Sequence, residues 1–407
     1  MQTFIQESLR NTTQGKEAER ILRACVHCGF CTATCPTYQI LGDELDGPRG
    51  RIYLIKSMLE GKSATEKTML HLDRCLTCRA CETTCPSGVE YGKLLDIGRH
   101  EVETRISRPW HQKFYRLLIL QIFPYKPRFK LLLRLGQLFR PLLPHALKCI
   151  ITPYKRQKLY KSKADSNREI ILLSGCVQSS LAPEINSSVK KILDHLNVVT
   201  YEIENEQCCG ALSHHLNASE QAFKFMRKNI DTIWPLIEQD VEAIISTASG
   251  CGVHIKEYGY LFREDKLYAD KAKKISSLVK DISEYITDFE LEKFFNKQNS
   301  VKTIAFQSPC TLQHGQKLNG LVEGMLTRLG YTIVPVKDAH LCCGSAGVYS
   351  LLQKDISSRL REEKLKNLLE DEPEIILTSN IGCREHLGQS SPVPVKHWAE
   401  EVAKLLD

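Results

Sequence analysis

Over the C-terminal part of the chain, short apolar runs alternate with segments whose apolar residues recur at helical spacing. The apolar runs are Ile170–Leu173, Val198–Ile203, Ala243–Ile245, Thr303–Phe306, Tyr331–Val336 and Glu374–Leu377. The helix-like segments between them lie at about 189–196, 218–238, 317–329 and 349–369. Strands that alternate with helices indicate a parallel sheet, so we predict an α/β domain over 166–407.

The cysteines of this region repeat in register. In each half, one cysteine follows the first predicted strand, a Cys-Cys-Gly (CCG) sequence follows the second, and another cysteine follows the third. Equivalent cysteines of the two halves are 134, 134 and 132 residues apart. We therefore predict an internal duplication, with halves 166–297 and 298–407 that face each other.

The N-terminal residues 1–103 have a different pattern, in which helical segments surround two cysteine-rich loops. After a Pro/Gly start, Ile52, Ile55 and Leu59 recur at helical spacing and predict a helix. Residues 1–20 resemble a short helical lead-in. The pattern as a whole predicts an α-helical domain over 1–103.

Between the two domains, 104–165 forms a basic amphipathic connector. Residues 104–164 contain fifteen Lys or Arg and no Asp or Glu, although the whole chain has a net charge of only +7. Prolines divide this stretch into short helices. Such a segment could bind an anionic membrane surface or dock an acidic partner subunit. The third interpretation is a plain connector whose charged face is solvated. No motif typical of nucleic-acid recognition accompanies it, so we expect no nucleic-acid partner.

Composition indicates a reducing compartment. Residues 1–20 lack the apolar core of a signal peptide, and no apolar stretch reaches the roughly 18 residues of a membrane span. The seventeen cysteines comprise two sets of four, one set of eight, and Cys149, which has no assigned role. We expect a cytoplasmic chain, peripheral on the inner face of the cytoplasmic membrane, whose cysteines bind metal rather than form disulfides.

The two sets of four cysteines share one spacing. The segments 25–36 and 75–86 both read Cys-x2-Cys-x2-Cys-x3-Cys-Pro. This spacing is typical of two-cluster ferredoxins, in which the fourth cysteine of each copy binds the other cluster. Zinc favours paired CxxC motifs and disulfides are rare in the cytosol, so we predict two [4Fe–4S] clusters. The predicted ligands are Cys25, Cys28, Cys31 and Cys85 for one cluster, and Cys35, Cys75, Cys78 and Cys81 for the other.

The eight cysteines of the CCG repeats form a second candidate site. Because ligands of doubly wound folds lie at the carboxyl ends of the strands, each half brings four thiols to one edge. They either hold a further iron–sulfur or zinc site or are buried structural thiols. His254 and His386 each lie three residues after the last cysteine of their half. Each is either an additional ligand of such a metal site or an ordinary surface or core residue. The cysteines concerned are Cys176, Cys208, Cys209, Cys251, Cys310, Cys342, Cys343 and Cys383.

Taken together, these motifs resemble the iron–sulfur subunits of flavin-linked 2-hydroxyacid oxidoreductases, and among them the glycolate-oxidising members. The resemblance rests on the two ferredoxin-type loops, on Gly42–Tyr53 between them, and on the cysteine segments 247–252 and 340–347. The CCG repeats are also similar to the cysteine-rich subunits of heterodisulfide reductase and of anaerobic glycerol-3-phosphate dehydrogenase. In heterodisulfide reductase each full motif ends in Cys-x-x-Cys, whereas here it ends in Cys-x-x-His, which argues against a non-cubane cluster.

The resemblance implies a complex in which a flavin-containing catalytic subunit oxidises glycolate to glyoxylate beside a second FAD-binding-type subunit. This chain would pass electrons onward to a quinone-type acceptor at the membrane. It has no Gly-x-Gly-x-x-Gly after a predicted strand, so we assign it no flavin site and no catalytic residue. The alternatives are the equivalent subunit for lactate or glycerol 3-phosphate, or a catalytic subunit that reduces a disulfide or quinone at the CCG cysteines.

Overall fold

The computed structural model describes residues 1–142, 160, 164–287, 289, 291 and 302–406. Its α-helices are Glu7–Arg10, Thr13–Ala24, Phe30–Ala33, Pro36–Leu41, Pro48–Leu59, Glu66–Asp73, Ala80–Thr83, Tyr91–Arg105, Trp110–Ile122, Lys126–Leu138, Gln178–Leu181, Pro183–His195, Ala211–His215, Ser219–Ile237, Ser249–Lys256, Tyr258–Leu261, Ala269–Leu278, Ile282–Ile286, Leu321–Arg328, Tyr349–Leu352, Lys354–Leu368, Ile381–Gly388 and Trp398–Val402. The strands are β1 Glu169–Leu172, β2 Val199–Glu202, β3 Ala243–Ser246, β4 Val279–Asp281, β5 Thr303–Gln307, β6 Thr332–Val334, β7 Ile375–Thr378 and β8 Val395–His397.

The N-terminal domain is helical, as predicted. Helices Thr13–Ala24, Pro48–Leu59, Glu66–Asp73 and Tyr91–Arg105 pack around one group of buried apolar side chains. The helix predicted after the Pro/Gly start is confirmed: Gly47 caps it and Pro48 occupies its first turn. Proline is tolerated there because the first amides of a helix have no intrahelical acceptor.

Two four-stranded parallel sheets form the C-terminal domain. The strand order is β2-β1-β3-β4 in the first half and β6-β5-β7-β8 in the second. In both sheets the neighbouring strands run parallel. The identical order confirms the predicted α/β architecture with two repeats.

Each sheet has a fourth strand that the sequence pattern does not predict. Strands β4 and β8 are only three residues long and lie at the edge of their sheets. Their sequences, Val-Lys-Asp and Val-Lys-His, contain one apolar residue each. A single apolar position produces no hydrophobic run, so the pattern left both strands undetected.

Three predicted helices differ from the prediction. The segment predicted at 189–196 corresponds to the longer helix Pro183–His195, which has Pro183 in its first turn. The segment 317–329 is helical only over Leu321–Arg328, because Gly320 precedes it with a left-handed φ of 75°. The segment 349–369 forms two helices, because Gln353 lies between them at φ −128° and ψ 53°, outside the helical region. At Gly320 and Gln353 the backbone leaves the helical conformation, and the spacing of apolar residues does not predict such local changes.

The two halves of the α/β domain share one hydrophobic core. Buried side chains of β1, β3, β5 and β7 belong to the same packed group, which also contains the fully buried Trp398. At the cysteine-bearing edge, Ser249 Oγ and Thr311 Oγ1 are 2.7 Å apart. The halves therefore face each other, as predicted, with their cysteine loops near the contact.

The basic connector begins with two helices, Trp110–Ile122 and Lys126–Leu138, on either side of Pro124. In these two described helices only Ile119 is buried. Pro144, Pro153 and Cys149 lie outside the described residues. Within the described part of the chain, no helix is both long enough and apolar enough to cross a membrane.

Candidate metal centres

Both ferredoxin-type loops have the same backbone shape. His27 and Thr77 have φ values of 60° and 55°, and Gly29 and Arg79, two residues further on, have 89° and 62°. Residues other than glycine adopt this left-handed conformation at a cost, and proteins retain such strain where a site requires it. The sequence repeat is therefore also a repeat of loop conformation.

The first of these loops shares a cavity with the end of the second. Cys25, Cys28 and Cys31 line this cavity together with Cys85 from the other copy. We call these four cysteines the first ferredoxin-type site. Cys28 is exposed, and the neighbouring Val26 and Phe30 side chains are 67% and 63% exposed. This site therefore lies at the protein surface.

A second cavity gathers the remaining four cysteines. Cys75, Cys78 and Cys81 line it together with Cys35 from the first copy. These residues are the second ferredoxin-type site, and all but Cys78 are buried. Cys81 also lines the cavity of the first site, so the two sites share a boundary. The structure thus places the two predicted ligand sets, each with its exchanged fourth cysteine, around adjacent cavities.

The thiols of these sites fit a metal cluster. Burial raises the pKa of Cys31 to about 11 and raises the pKa values of Cys78 and Cys81 well above their ordinary value. Such thiols resist ionisation unless a cation lies beside them, and thiolate is the form that binds iron. Four sulfur donors around one cavity are the ligand set of a cubane cluster.

A buried ionic network adjoins the second site. Asp46 is fully buried and lies 2.9 Å from His71 Nδ1, 2.8 Å from Arg74 Nη1 and 3.6 Å from Arg51 Nη2. Arg51 is 1% exposed and lines the same cavity as Cys35. A fixed positive charge beside a cluster favours its reduced, more negative state. The sequence alone places Arg51 and Arg74 near the cluster loops, but only the fold brings them together with Asp46 and His71.

The first four CCG cysteines converge at the carboxyl ends of β1, β2 and β3. Cys176 Sγ and Cys208 Sγ are 3.6 Å apart. Cys209 and Cys251 line one common cavity. We call these four residues the first CCG set.

The second half repeats this arrangement. Cys310 Sγ and Cys342 Sγ are 3.8 Å apart, and Cys343 packs with Cys383 in one buried group. These four are the second CCG set. A buried lysine, Lys364, lies near these thiols: burial lowers its pKa, while the charges of the four cysteines oppose that shift. Its Nζ donates to the Ala339 carbonyl at 2.9 Å. Nothing in the sequence marks Lys364 as buried, since a lysine in an amphipathic helix is normally a surface residue.

The glycine of each CCG sequence is needed for backbone shape and for packing. Gly210 and Gly344 both have φ of 90°, in the left-handed region. A Cβ atom on Gly344 would lie 2.7 Å from the Ser357 carbonyl oxygen, and one on Gly210 would lie 2.9 Å from Met226 Cγ. The motif therefore fixes a turn that packs directly on the second helix after it, which is Ser219–Ile237 in the first half and Lys354–Leu368 in the second.

The two histidines after the CCG sets have different surroundings. His386 Nε2 lies 3.2 Å from Ser357 Oγ, and burial lowers its pKa to about 4. His254 is 2% exposed, and its ring centroid lies 5.4 Å from that of His214. His386 thus has a polar partner within the protein, whereas the His254 ring lies beside the His214 ring at a tilt of 43°.

The second ferredoxin-type site packs against the second CCG set. Leu76, Cys310, Cys342 and Tyr349 form one buried group, and Cys78 packs on it. The Tyr349 hydroxyl donates to the carbonyl of Arg74 at 2.9 Å. The sequence predicts both sites but not their contact, which depends on how the two domains dock.

Known proteins match this chain over both regions. A 4Fe-4S dicluster domain matches residues 21–89, and a cysteine-rich domain matches 170–256 and 304–388. The glycolate oxidase iron-sulfur subunit of Escherichia coli (strain K12) is 48% identical over 100% of both chains. The probable glycolate oxidase iron-sulfur subunit of Bacillus subtilis (strain 168) is 26% identical over 97% of this chain and 96% of its own.

A second group of relatives matches a shorter part. Lactate utilization protein A of Bacillus subtilis (strain 168) is 26% identical over 57% of this chain and 98% of its own length. The dicluster match confirms the expectation of two [4Fe–4S] clusters in the N-terminal domain. The repeated cysteine-rich match confirms the two CCG repeats.

Proposed function

Because this chain belongs to the family of glycolate oxidase iron-sulfur subunits, we propose that it carries electrons away from a flavin-containing subunit that oxidises glycolate to glyoxylate. It is an iron–sulfur subunit of an oxidoreductase. The observation that carries the proposal is the packing of the second ferredoxin-type site against the second CCG set. Sites in contact form a continuous route for electrons through the chain.

We assign the cluster ligands by the cavities that the cysteines line. Cys25, Cys28, Cys31 and Cys85 would hold one [4Fe–4S] cluster. The second cluster would take Cys35, Cys75, Cys78 and Cys81. When bound, each cluster accepts and releases one electron at a time. The protein residues exclude water from the second site and place Arg51 beside it.

The chemistry requires a flavin on a partner. Oxidation of a 2-hydroxy acid removes two electrons, and a flavin converts a two-electron donor into single electrons. We therefore propose a flavin-containing catalytic subunit and a second FAD-binding-type subunit as partners. The exposed first site, with Val26 and Phe30 beside Cys28, is the natural entry point for electrons from the flavin.

The CCG domain would be the outlet. The second CCG set is buried and adjoins the second ferredoxin-type site, so it would receive electrons from that site and pass them toward a quinone-type acceptor. An iron–sulfur site on these thiols would supply the one-electron chemistry of this step, whereas zinc has no redox chemistry and would give the set a structural role instead. The lactate-related proteins match with lower identity and over less of the chain, which favours glycolate as substrate.

This proposal predicts a stable complex. Anaerobic purification through tags on the two flavoprotein partners should recover this chain, with about eight iron atoms in its two [4Fe–4S] clusters. Electron paramagnetic resonance (EPR) should show two reduced cluster signals. Recovery of the tagged flavoproteins without this chain, or of the chain with zinc in place of iron at the ferredoxin-type sites, would contradict the proposal.

We also propose that the connector helices attach the chain to an anionic membrane surface. Apolar side chains project from both helices, with Trp110 79%, Leu131 59% and Leu138 72% exposed. Basic residues, including the exposed Lys130 and Arg134, lie among them. A helix face of this composition binds a lipid surface by inserting apolar groups and attracting anionic headgroups.

Salt should weaken this attachment. Each basic residue near an anionic surface contributes about 1 kcal/mol, so the double variant Lys130→Glu, Arg134→Glu should lower affinity for phosphatidylglycerol-containing vesicles by more than about tenfold. Vesicle co-sedimentation at rising salt measures this. Lys16→Glu, Lys67→Glu makes the same charge change on exposed residues outside the connector and should bind normally. Equal loss in both variants, or no binding in low salt, would refute membrane attachment.

A further inference from the structure

A carboxylate of the N-terminal domain and two histidines of the C-terminal domain converge where the domains meet. Asp96 lies on helix Tyr91–Arg105, and His214 and His215 end helix Ala211–His215. One ligand atom from each residue lies within 4.8 Å of the others. Asp96 Oδ1 and His215 Nδ1 are 3.8 Å apart, too far for a hydrogen bond.

A third histidine completes the group. The His254 ring centroid lies 5.4 Å from that of His214 and 6.0 Å from that of His215. Its Nε2 atom is buried, as are the Nδ1 atoms of His214 and His215, and none of the three has a hydrogen-bond partner among the described residues. Buried polar nitrogens normally have partners, so three unpaired ones in one place indicate a missing ligand.

We propose that Asp96, His214, His215 and His254 bind one divalent transition metal ion of the zinc class. Imidazole nitrogens and a carboxylate oxygen are ligands that zinc accepts in four-coordinate sites. Zinc–nitrogen bonds of about 2.0–2.1 Å require donor atoms roughly 3.3 Å apart. The ligand atoms of Asp96, His214 and His215 lie within 4.8 Å of one another and need only a small inward shift, whereas the ring of His254 would have to move further to complete the set. The set contains no cysteine, which separates this site from all four thiol sets.

The position indicates a structural role. The ion would join the N-terminal domain, through Asp96, to the first CCG half, through its three histidines. Other contacts follow the same boundary: Arg79 forms an ion pair with Glu257, and His100 Nδ1 lies 3.2 Å from Asn217 Oδ1. The side chains of Asp96 and His215 are 26% and 37% exposed, so an ion can enter from solvent.

The test uses the full chain, purified anaerobically, loaded with zinc chloride and dialysed. We expect one zinc per chain beyond the cluster iron, and a zinc K-edge X-ray absorption spectrum with nitrogen and oxygen neighbours at about 2.0–2.2 Å. A shell dominated by sulfur at about 2.3 Å would place the zinc at thiols and overturn the proposal. Absence of retained zinc would overturn it as well.

Variants test the ligands separately. Asp96→Asn and His215→Gln should each weaken zinc binding by more than about tenfold, while iron content and cluster EPR stay unchanged. His100→Gln, one turn further along the helix of Asp96, is the matched control and should retain zinc. Unchanged zinc affinity in Asp96→Asn would contradict the proposal. If a variant loses iron, the zinc K-edge spectrum of the unmodified chain still shows whether nitrogen and oxygen atoms surround the zinc. This measurement does not depend on glycolate oxidation, so it tests the zinc site separately from the proposed function.

Discussion

Replacing Cys85 with serine is expected to alter the same cluster that replacing Cys28 alters, although the two residues belong to different sequence copies. Cys85 lines the cavity of Cys25, Cys28 and Cys31. Loss of one thiolate should remove or convert one cluster, and up to about half of the iron should be lost. Anaerobic EPR of the reduced chain identifies which cluster signal changes.

The reciprocal variant makes the result specific. Cys35→Ser should reproduce the EPR change of Cys78→Ser, because both cysteines line the second cavity. Cys149→Ser is the control, since this cysteine belongs to neither loop, and both cluster signals should remain. A Cys85→Ser spectrum that matches Cys78→Ser instead would show that each copy binds its own cluster and would exclude the exchange.

Replacing both Cys342 and Cys343 with serine is expected to slow electron delivery to a quinone by at least about tenfold, which corresponds to about 1.4 kcal/mol. Cys342 packs in the group that contacts Cys78 of the second ferredoxin-type site. Reduction of the flavin by glycolate should proceed at the normal rate, because that step occurs on the partner. Stopped-flow absorbance of the complex separates the two steps.

The first CCG half supplies a matched comparison. Cys208 and Cys209 occupy the equivalent loop, but the packed group that joins the N-terminal domain to a CCG set contains Cys310 and Cys342 instead. Cys208→Ser, Cys209→Ser should therefore slow quinone reduction less. Normal quinone reduction in the Cys342, Cys343 variant, with intact cluster EPR, would remove the second CCG set from the electron route.

The sequence predicts those features that repeat or that depend on local spacing. The two ferredoxin-type loops and the duplicated CCG cysteines are visible as periodic motifs, and the helix from Pro48 is visible from apolar spacing and its proline start. Edge strands such as β4 are not visible, because one apolar residue in three carries no pattern.

Contacts between distant segments are beyond the reach of a single sequence. The Asp46–Arg51 pair, the packing of Cys78 on the group that contains Cys342, and the meeting of Asp96 with His215 each depend on how helices and domains pack. The Asp-Glu-Leu-Asp-Gly-Pro-Arg-Gly-Arg stretch did mark Asp46 and Arg51 as part of the family resemblance. It did not indicate that they form a buried pair beside a cluster.

Glycolate-driven cluster reduction, followed by EPR in the purified complex, tests the central claim most directly. We predict that glycolate reduces the clusters of this chain only when the flavin-containing subunit is present. The chain alone, given glycolate and a synthetic electron acceptor, should show no turnover. Glycolate oxidation by the isolated chain, or clusters that stay oxidised in the complete complex while its flavin is reduced, would contradict its assignment as the electron-transfer subunit.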